Sequence, residues 1–168
     1  AQGVTEITLI AQDTSRYGND FEGGKTLLAS LLHDVAQIEG VHWVRVLYTY
    51  PDTVDEHLIE TLRNEPKVCE YLDLPLQHIN ARLLKRMNRR GNPDTVRDLL
   101  RNCRKNGMFL RTTFIVGFPG ETEEEFEELK EFVKEIQFDR MGAFTYSPEE
   151  GTPAALMPDQ IPEEIKQR

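Results

Sequence analysis

The sequence predicts an α/β fold in which a curved parallel sheet, with helices on its outer face, forms a partial TIM-like (βα) barrel. Strand-like runs alternate with helix-like runs along the 168 residues. The crossovers between strands are a dozen residues or longer, as parallel neighbours require, and such crossovers are right-handed. Five predicted strands are too few to close an eight-stranded barrel, so we expect the sheet to stay open.

The first strands and helices set this pattern. EITLIAQ (6–12) is rich in strand-forming residues, and leucines at helical spacing between 27 and 35 mark one face of a helix. HWVRVLYTY (42–50) is the second predicted strand. Thr53 and Glu56 have the spacing of a capping box, which predicts that the next helix begins beside them.

The second half repeats the alternation and ends in a tail of different character. The remaining elements are predicted at 68–75 (strand, ending near Pro75), 80–90 and 93–106 (helices), 109–117 (strand), 122–136 (helix) and 140–146 (strand). Thr122 and Glu125 form a second capping box. Beyond residue 150 three prolines replace the periodic pattern. We therefore predict a partial barrel domain over residues 1–150 and an exit segment over residues 151–168.

Composition limits the classes of function. The formal net charge of −9 argues against a general binder of nucleic acid or membrane surfaces. The sequence has no apolar run of transmembrane length and no basic-then-apolar leader, which favours a cytoplasmic protein. The two cysteines, Cys69 and Cys103, have no metal-ligand spacing, so we expect no metal site in this chain.

Polar residues collect where the predicted strands end. The carboxyl ends of parallel strands form the ligand-binding rim of such folds. Gln12 and Asp13 follow the first strand, where a turn with a helix cap and a ligand contact are equally consistent with the sequence. Gly117 and Gly120 follow the fourth strand, and they either form an ordinary strand-to-helix turn or let a ligand lie against the backbone.

Two further features have an ordinary interpretation and a functional one. Gln77 and His78 leave a buried strand together, although a lone histidine is more often structural than catalytic. Glu121 either complements the following helix dipole or serves the site. Five basic residues are predicted to share one face of the helix over 80–90, which is either a solvated face or a docking surface for an anionic partner; they are Arg82, Lys85, Arg86, Arg89 and Arg90.

Five motifs, in order, resemble the radical S-adenosylmethionine methylthiotransferases, which insert sulfur and a methyl group at unactivated C–H positions. The motifs are LIAQDTSRYG, YLDLPLQH, LKRMNRRG, RTTFIVGFPGET and FTYSPEEGTPA. Within this family, LDLPLQH resembles the group that modifies an aspartate of a small-subunit ribosomal protein. The transfer-RNA group carries a Gln-Ser-Gly type sequence where Gln77 and His78 stand.

The resemblance implies a radical-SAM core with S-adenosylmethionine as cofactor and a ribosomal small-subunit protein as substrate and partner. By position in the motifs, the resemblance implies that these residues contact the cofactor: Gln12, Asp13, Gln77, Ile115, Gly117, Glu121, Phe144 and Tyr146. It assigns Gln12 and Asp13 to the methionine end of the cofactor, and Phe144 and Tyr146 to its adenine side. Ile115 and Gly117 pack against the adenosine, Glu121 secures the turn, and Gln77 contacts the ribose or methionine part. His78 is the candidate catalytic residue near the target.

One departure from the family pattern is large. The family holds its catalytic iron–sulfur cluster through Cys-x-x-x-Cys-x-x-Cys after the first barrel strand, and this sequence has no such motif. The resemblance therefore implies a core that lacks its first strand and a fragment that is inactive alone. A transfer-RNA methylthiotransferase, and a non-catalytic α/β module that binds a nucleotide or a protein, remain as alternatives.

Overall fold

A computed structural model describes residues 3–21 and 23–168 of the chain. Within these residues the strands are β1 (Glu6–Ile10), β2 (Trp43–Leu47), β3 (Tyr71–Asp73), β4 (Phe109–Val116) and β5 (Arg140–Thr145). The α-helices are α1 (Leu28–Ala36), α2 (Glu56–Asn64), α3 (Ala81–Arg86), α4 (Pro93–Lys105), α5 (Glu123–Ile136) and α6 (Glu163–Lys166). Short 3₁₀ turns lie at Thr14–Arg16 and Pro153–Leu156.

All strand pairs are parallel, which confirms the predicted α/β class. One ladder joins β1 to β2, and a second joins β3, β4 and β5 in that order. Backbone hydrogen bonds connect the two ladders, because Val44 N–H donates to the Lys67 carbonyl at 2.8 Å and Thr49 N–H donates to the Asp73 carbonyl at 3.0 Å. The strands therefore follow one another in space in chain order.

The third strand ends at Asp73, close to the predicted end at Pro75, which has no N–H to give to the ladder. Pairing with β4 resumes two residues later, where Gln77 N–H donates to the Thr113 carbonyl and Ile115 N–H donates to the Gln77 carbonyl, both at 2.8 Å. Gln77 adopts a positive φ of 69°. The chain therefore changes direction at Gln77, at the end of the strand.

Alternation along β4 decides which face of the sheet is buried. Leu110, Thr112 and Phe114 are buried beneath the helices, and the residues between them point to the opposite, inner face. On that face Trp43 is 60% exposed and Phe144 is 62% exposed. The inner face is thus open, as expected for a partial barrel.

Of the two predicted capping boxes, the first is wrong and the second is confirmed. The N-cap of α2 is Asp55, whose carboxylate accepts the Leu58 N–H at 2.8 Å, so Thr53 and Glu56 form no capping box. The box formed by Thr122 and Glu125 is present at α5.

The helix predicted over 80–90 ends at Arg86, and Asn88 has a φ of 54°. Arg89 and Arg90 therefore lie beyond the helix, and the five basic residues do not share one helical face. In the part of the chain that the structure describes, no helix is both long and apolar enough to cross a membrane.

Candidate functional site

The loop between β4 and α5 holds two glycines in the left-handed region. Gly117 has a φ of 71° and Gly120 a φ of 78°, values that side chains disfavour. We call residues 117–121 the glycine turn. The Glu121 carboxylate closes it by accepting the N–H groups of Gly117 and, at 3.2 Å, of Phe118. One buried carboxylate therefore satisfies two backbone donors of the turn.

His78 supports this carboxylate from behind. Its ring is 0% exposed, and Nδ1 accepts the Asn80 N–H at 3.0 Å. Because Nδ1 is an acceptor, the ring proton lies on Nε2, which donates to Glu121 Oε1 at 3.3 Å. Both ring nitrogens are thus engaged within the protein.

Among the described residues, three side-chain polar atoms are buried without a hydrogen-bond partner. They are Oε1 of Gln77, the hydroxyl of Tyr146 and Nε of Arg86. Tyr146 is 9% exposed and stands edge-on to Phe118 with ring centroids 5.2 Å apart. Buried polar groups are rarely left unpaired, so an orphaned acceptor and an orphaned hydroxyl indicate a place for a polar ligand.

Ile115 and Gly117 lie beside these atoms. Ile115 packs against a small apolar cluster that contains Phe118 and Tyr146. A Cβ at Gly117 would lie 2.5 Å from Cγ of Lys166, so the Lys166 side chain occupies the space on this side of the glycine. The Lys166 ammonium donates to the Tyr146 carbonyl at 2.8 Å. The tail thus packs directly on the glycine turn.

Two predicted site residues lie apart from this group. Gln12 is exposed, and Asp13 pairs with Arg16 at 2.6 Å and accepts the Ser15 hydroxyl at 2.7 Å, so the Asp13 carboxylate orders its own loop after β1. Phe144 adjoins the group, because it is the register partner of Ile115 on the open inner face of β5. The structure brings together seven of the nine predicted residues, which are Gln77, His78, Ile115, Gly117, Glu121, Phe144 and Tyr146.

Sequence reasoning missed a buried ion pair between β3 and β4. Asp73 is fully buried, and its carboxylate accepts the Arg111 guanidinium at 2.9 Å and the Tyr48 N–H at 3.1 Å. A lone charged residue inside the apolar run YLDLPL was the available signal, because an ionised carboxylate is buried only when it is paired. This pair joins the carboxyl ends of β2 and β3 to the first half of β4.

The residues described do not fit an iron–sulfur cluster. Burial raises the pKa of the Cys103 thiol to about 11, whereas a metal ligand must be a thiolate. Cys69 is the only other cysteine of the sequence. Within residues 3–21 and 23–168, no three His, Cys, Asp or Glu side chains are grouped to hold a metal ion. The orphaned atoms of Gln77 and Tyr146, in contrast, fit a polar organic ligand.

Comparisons with known proteins identify the family of the chain. Residues 2–133 match the family model of the radical SAM superfamily. The chain is 55% identical, over 99% of its length, to the ribosomal protein uS12 methylthiotransferase RimO of Clostridium botulinum (strain Loch Maree / Type A3) and 54% identical to RimO of Geobacter sulfurreducens. It spans only 38% and 37% of these relatives.

Two solved structures have the same fold. Coproporphyrinogen III oxidase (HemN) from Escherichia coli matches with a TM-score of 0.66 and 20% identity, over 83% of this chain and 34% of that one. The methyltransferase TsrM from Kitasatospora setae, with cobalamin and a [4Fe-4S] cluster bound, matches with a TM-score of 0.69 and 17% identity, over 92% and 30%. At these identities the likeness shows the fold alone.

Proposed function

Because the chain belongs to the radical SAM superfamily, whose enzymes use S-adenosylmethionine and iron–sulfur clusters, we propose that it supplies the adenosine-binding wall of an enzyme that methylthiolates an aspartate of ribosomal protein uS12. The observation that carries this proposal is the 55% identity over 99% of the chain to the uS12 methylthiotransferase RimO. The orphaned polar atoms beside the glycine turn supply the matching chemistry.

Bound S-adenosylmethionine supplies radical chemistry at an unactivated C–H bond. The chain's own residues bind and orient this cofactor. Gln77 Oε1 accepts a hydrogen bond from a ribose hydroxyl or the methionine ammonium, and the Tyr146 hydroxyl makes a second polar contact. Ile115 and Phe118 exclude water on the apolar side. The glycine turn follows β4 directly, with the Lys166 stem against Gly117 and Arg86 against Gly120.

Glu121 and His78 act one step further from the cofactor. Glu121 fixes the glycine turn through two backbone N–H groups, and His78 fixes Glu121. Because the His78 ring is buried with both nitrogens engaged, we assign it a positioning role. Gln12 and Asp13 remain proposed contacts for the methionine end of the cofactor, and Phe144 for the adenine.

The test uses the full-length enzyme that contains this chain, reconstituted anaerobically and incubated with S-adenosylmethionine and uS12 or transfer RNA. Mass spectrometry should find the methylthio group on the uS12 aspartate. Modification of transfer RNA alone would favour the rival methylthiotransferase. Cofactor cleavage with neither product would overturn the proposal.

A matched pair of variants tests the cofactor contact. Gln77→Leu should raise the KM for S-adenosylmethionine about tenfold, since one hydrogen bond to a buried acceptor is worth about 1 kcal/mol or more. Gln37→Leu, at an exposed position after α1, should leave the KM within about twofold. Equal KM values for both variants would remove Gln77 from the site.

The partner surface follows from the charges that the structure leaves available. Among the described residues, Lys85, Arg89 and Arg90 take part in no ion pair, although Arg89 stands over the Tyr50 ring at 4.9 Å. These three cations, beside the carboxyl ends of the strands, are our proposed contact with the ribosomal substrate. A substrate of the small ribosomal subunit places the reaction in the cytoplasm.

A further inference from the structure

The two arginines of α3 are directed at the glycine turn. Arg82 Nη2 donates to the Gly120 carbonyl at 2.6 Å, and Arg82 Nε donates to Glu125 Oε1 at 2.7 Å. Arg82 Nη2 also donates to Glu125 Oε2, which completes a two-pronged pair. A planar guanidinium can bind a carboxylate and a carbonyl at once in a fixed geometry, which a lysine cannot do.

Glu125 carries the constraint onward to α5. Its carboxylate is buried and accepts the Thr122 N–H at 2.9 Å as part of the capping box. The Arg82 guanidinium lowers the pKa of Glu125, so both partners are ionised at neutral pH. One guanidinium therefore ties the Gly120 carbonyl to the first turn of the helix that follows.

Arg86 holds the same glycine from a second side. Its guanidinium carbon lies 3.1 Å from where a Cβ of Gly120 would stand, so the planar group lies directly against the glycine. Gly120 N–H donates to the Asp159 carbonyl at 2.7 Å, and the Asp159 carboxylate faces Arg86 Nη2 at 3.6 Å. Gly120 is enclosed by α3 and the tail together.

These contacts bear on the site because α3 begins directly after Gln77 and His78. Asn80 is the N-cap of α3 and accepts the N–H groups of Arg82 and Leu83. The segment that carries the orphaned Gln77 oxygen is thus joined rigidly to the glycine turn through Arg82.

We propose that Arg82 is a positioning residue that sets the distance between the Gln77 oxygen and the glycine turn, and hence the fit of S-adenosylmethionine between them. This inference rests on the proposed function for the identity of the ligand. It also removes Arg82 and Arg86 from the set of residues that dock the partner, because the Arg82 guanidinium donates to Gly120 and Glu125 and the Arg86 guanidinium lies half-buried against Gly120.

The test compares Arg82→Met, Arg82→Lys and Arg101→Met in the full-length, reconstituted enzyme. Arg101 is the matched control because its guanidinium also pairs with carboxylates, those of Glu135 and, at 3.3 Å, Asp98, but on the outer surface, away from the glycine turn. We measure 5′-deoxyadenosine formation against S-adenosylmethionine concentration, cluster absorbance, thermal unfolding and affinity for uS12.

Arg82→Met should raise the KM for S-adenosylmethionine about tenfold, with a smaller change in kcat and unchanged cluster absorbance. Arg82→Lys should recover part of this loss, because it restores the charge without the fork. Arg101→Met should leave the KM within about twofold. Affinity for uS12 should be the same in all three variants.

Three results would overturn the inference: equal KM values for Arg82→Met and Arg101→Met, an effect confined to stability, or a loss of uS12 affinity. If Arg82→Met does not fold, Arg82→Lys and Glu125→Gln give the same comparison. An enzyme that cleaves the cofactor but leaves uS12 unmodified would refute the proposed function, and the KM comparison would still decide the role of Arg82.

Discussion

Replacing Glu121 by glutamine is the sharpest test of how the glycine turn is held. The carboxylate side chain is 3% exposed and accepts hydrogen bonds from two backbone N–H groups and from His78 Nε2. If the glutamine oxygen keeps the backbone donors, its NH₂ group meets the His78 N–H. The other histidine tautomer does not remove this clash of two donors, because Nδ1 must accept the Asn80 N–H at 3.0 Å.

The expected loss in the free energy of unfolding follows from this clash of two donors. A buried donor left without an acceptor costs about 1–3 kcal/mol, and the bonds lost here were made to a charged acceptor. We expect Glu121→Gln to lower the free energy of unfolding by about 2 kcal/mol. For a domain of this size, that corresponds to roughly 4–8 °C in Tm.

The assay is urea and thermal unfolding of the chain, followed by circular dichroism, with Glu124→Gln as the control. Glu124 is an exposed acid in the first turn of the same helix and carries the same charge. Its replacement should cost much less than that of Glu121, because an exposed charge near a helix terminus is screened by solvent. Equal losses in the two variants would show that charge near the helix terminus, and not the buried hydrogen bonds, stabilises the turn.

Two further predictions concern the neighbours of the turn. The pKa of Glu125 is lowered from its ordinary 4.5, chiefly by Arg82, so its contribution to stability is complete above about pH 4.5 and is lost as pH falls through the lower folded value. Urea unfolding should therefore show a stability gap between the wild type and Glu125→Gln that is wide at pH 7 and narrow at about pH 3; a gap independent of pH would contradict this. Gly117→Ala should cost at least about 1–2 kcal/mol for its positive φ, and Lys166→Ala should recover the additional clash with the lysine stem in a double-mutant cycle. Strict additivity would mean that the two side chains do not compete.

The strands and most helices could be predicted because their signals are local. The capping box of Thr122 and Glu125 needs only two residues three positions apart, and the structure has it. At α2 the sequence offers two caps two residues apart, Thr53 and Asp55, and spacing alone cannot rank them. The structure uses Asp55, while the Thr53 hydroxyl contacts Ser15 at 2.6 Å from a loop 38 residues away.

The candidate site was predicted in part for the same reason. The glycine turn and the Gln-His pair are short motifs, so their positions could be identified in the sequence. Their couplings are not local: His78 meets Glu121 43 positions along the chain, as Arg82 meets Glu125. Such pairs depend on how α3 crosses the end of β4, which no spacing in the sequence encodes.

The basic stretch shows what this means for function. Counting charges assigns five cations to one surface, but the structure commits Arg82 and Arg86 to Gly120 and its surroundings and ends α3 before Arg89. An anionic partner then meets three cations spread over a helix end and a loop. For B-form DNA, each neutralised phosphate adds about 0.9 to the steepness with which log affinity falls with log salt concentration. Because fewer contacts lower this slope, any nucleic-acid contact here should depend less on salt than five aligned cations would make it. The stretch is therefore better explained as a brace for the glycine turn, with the proposed partner contact confined to its far end.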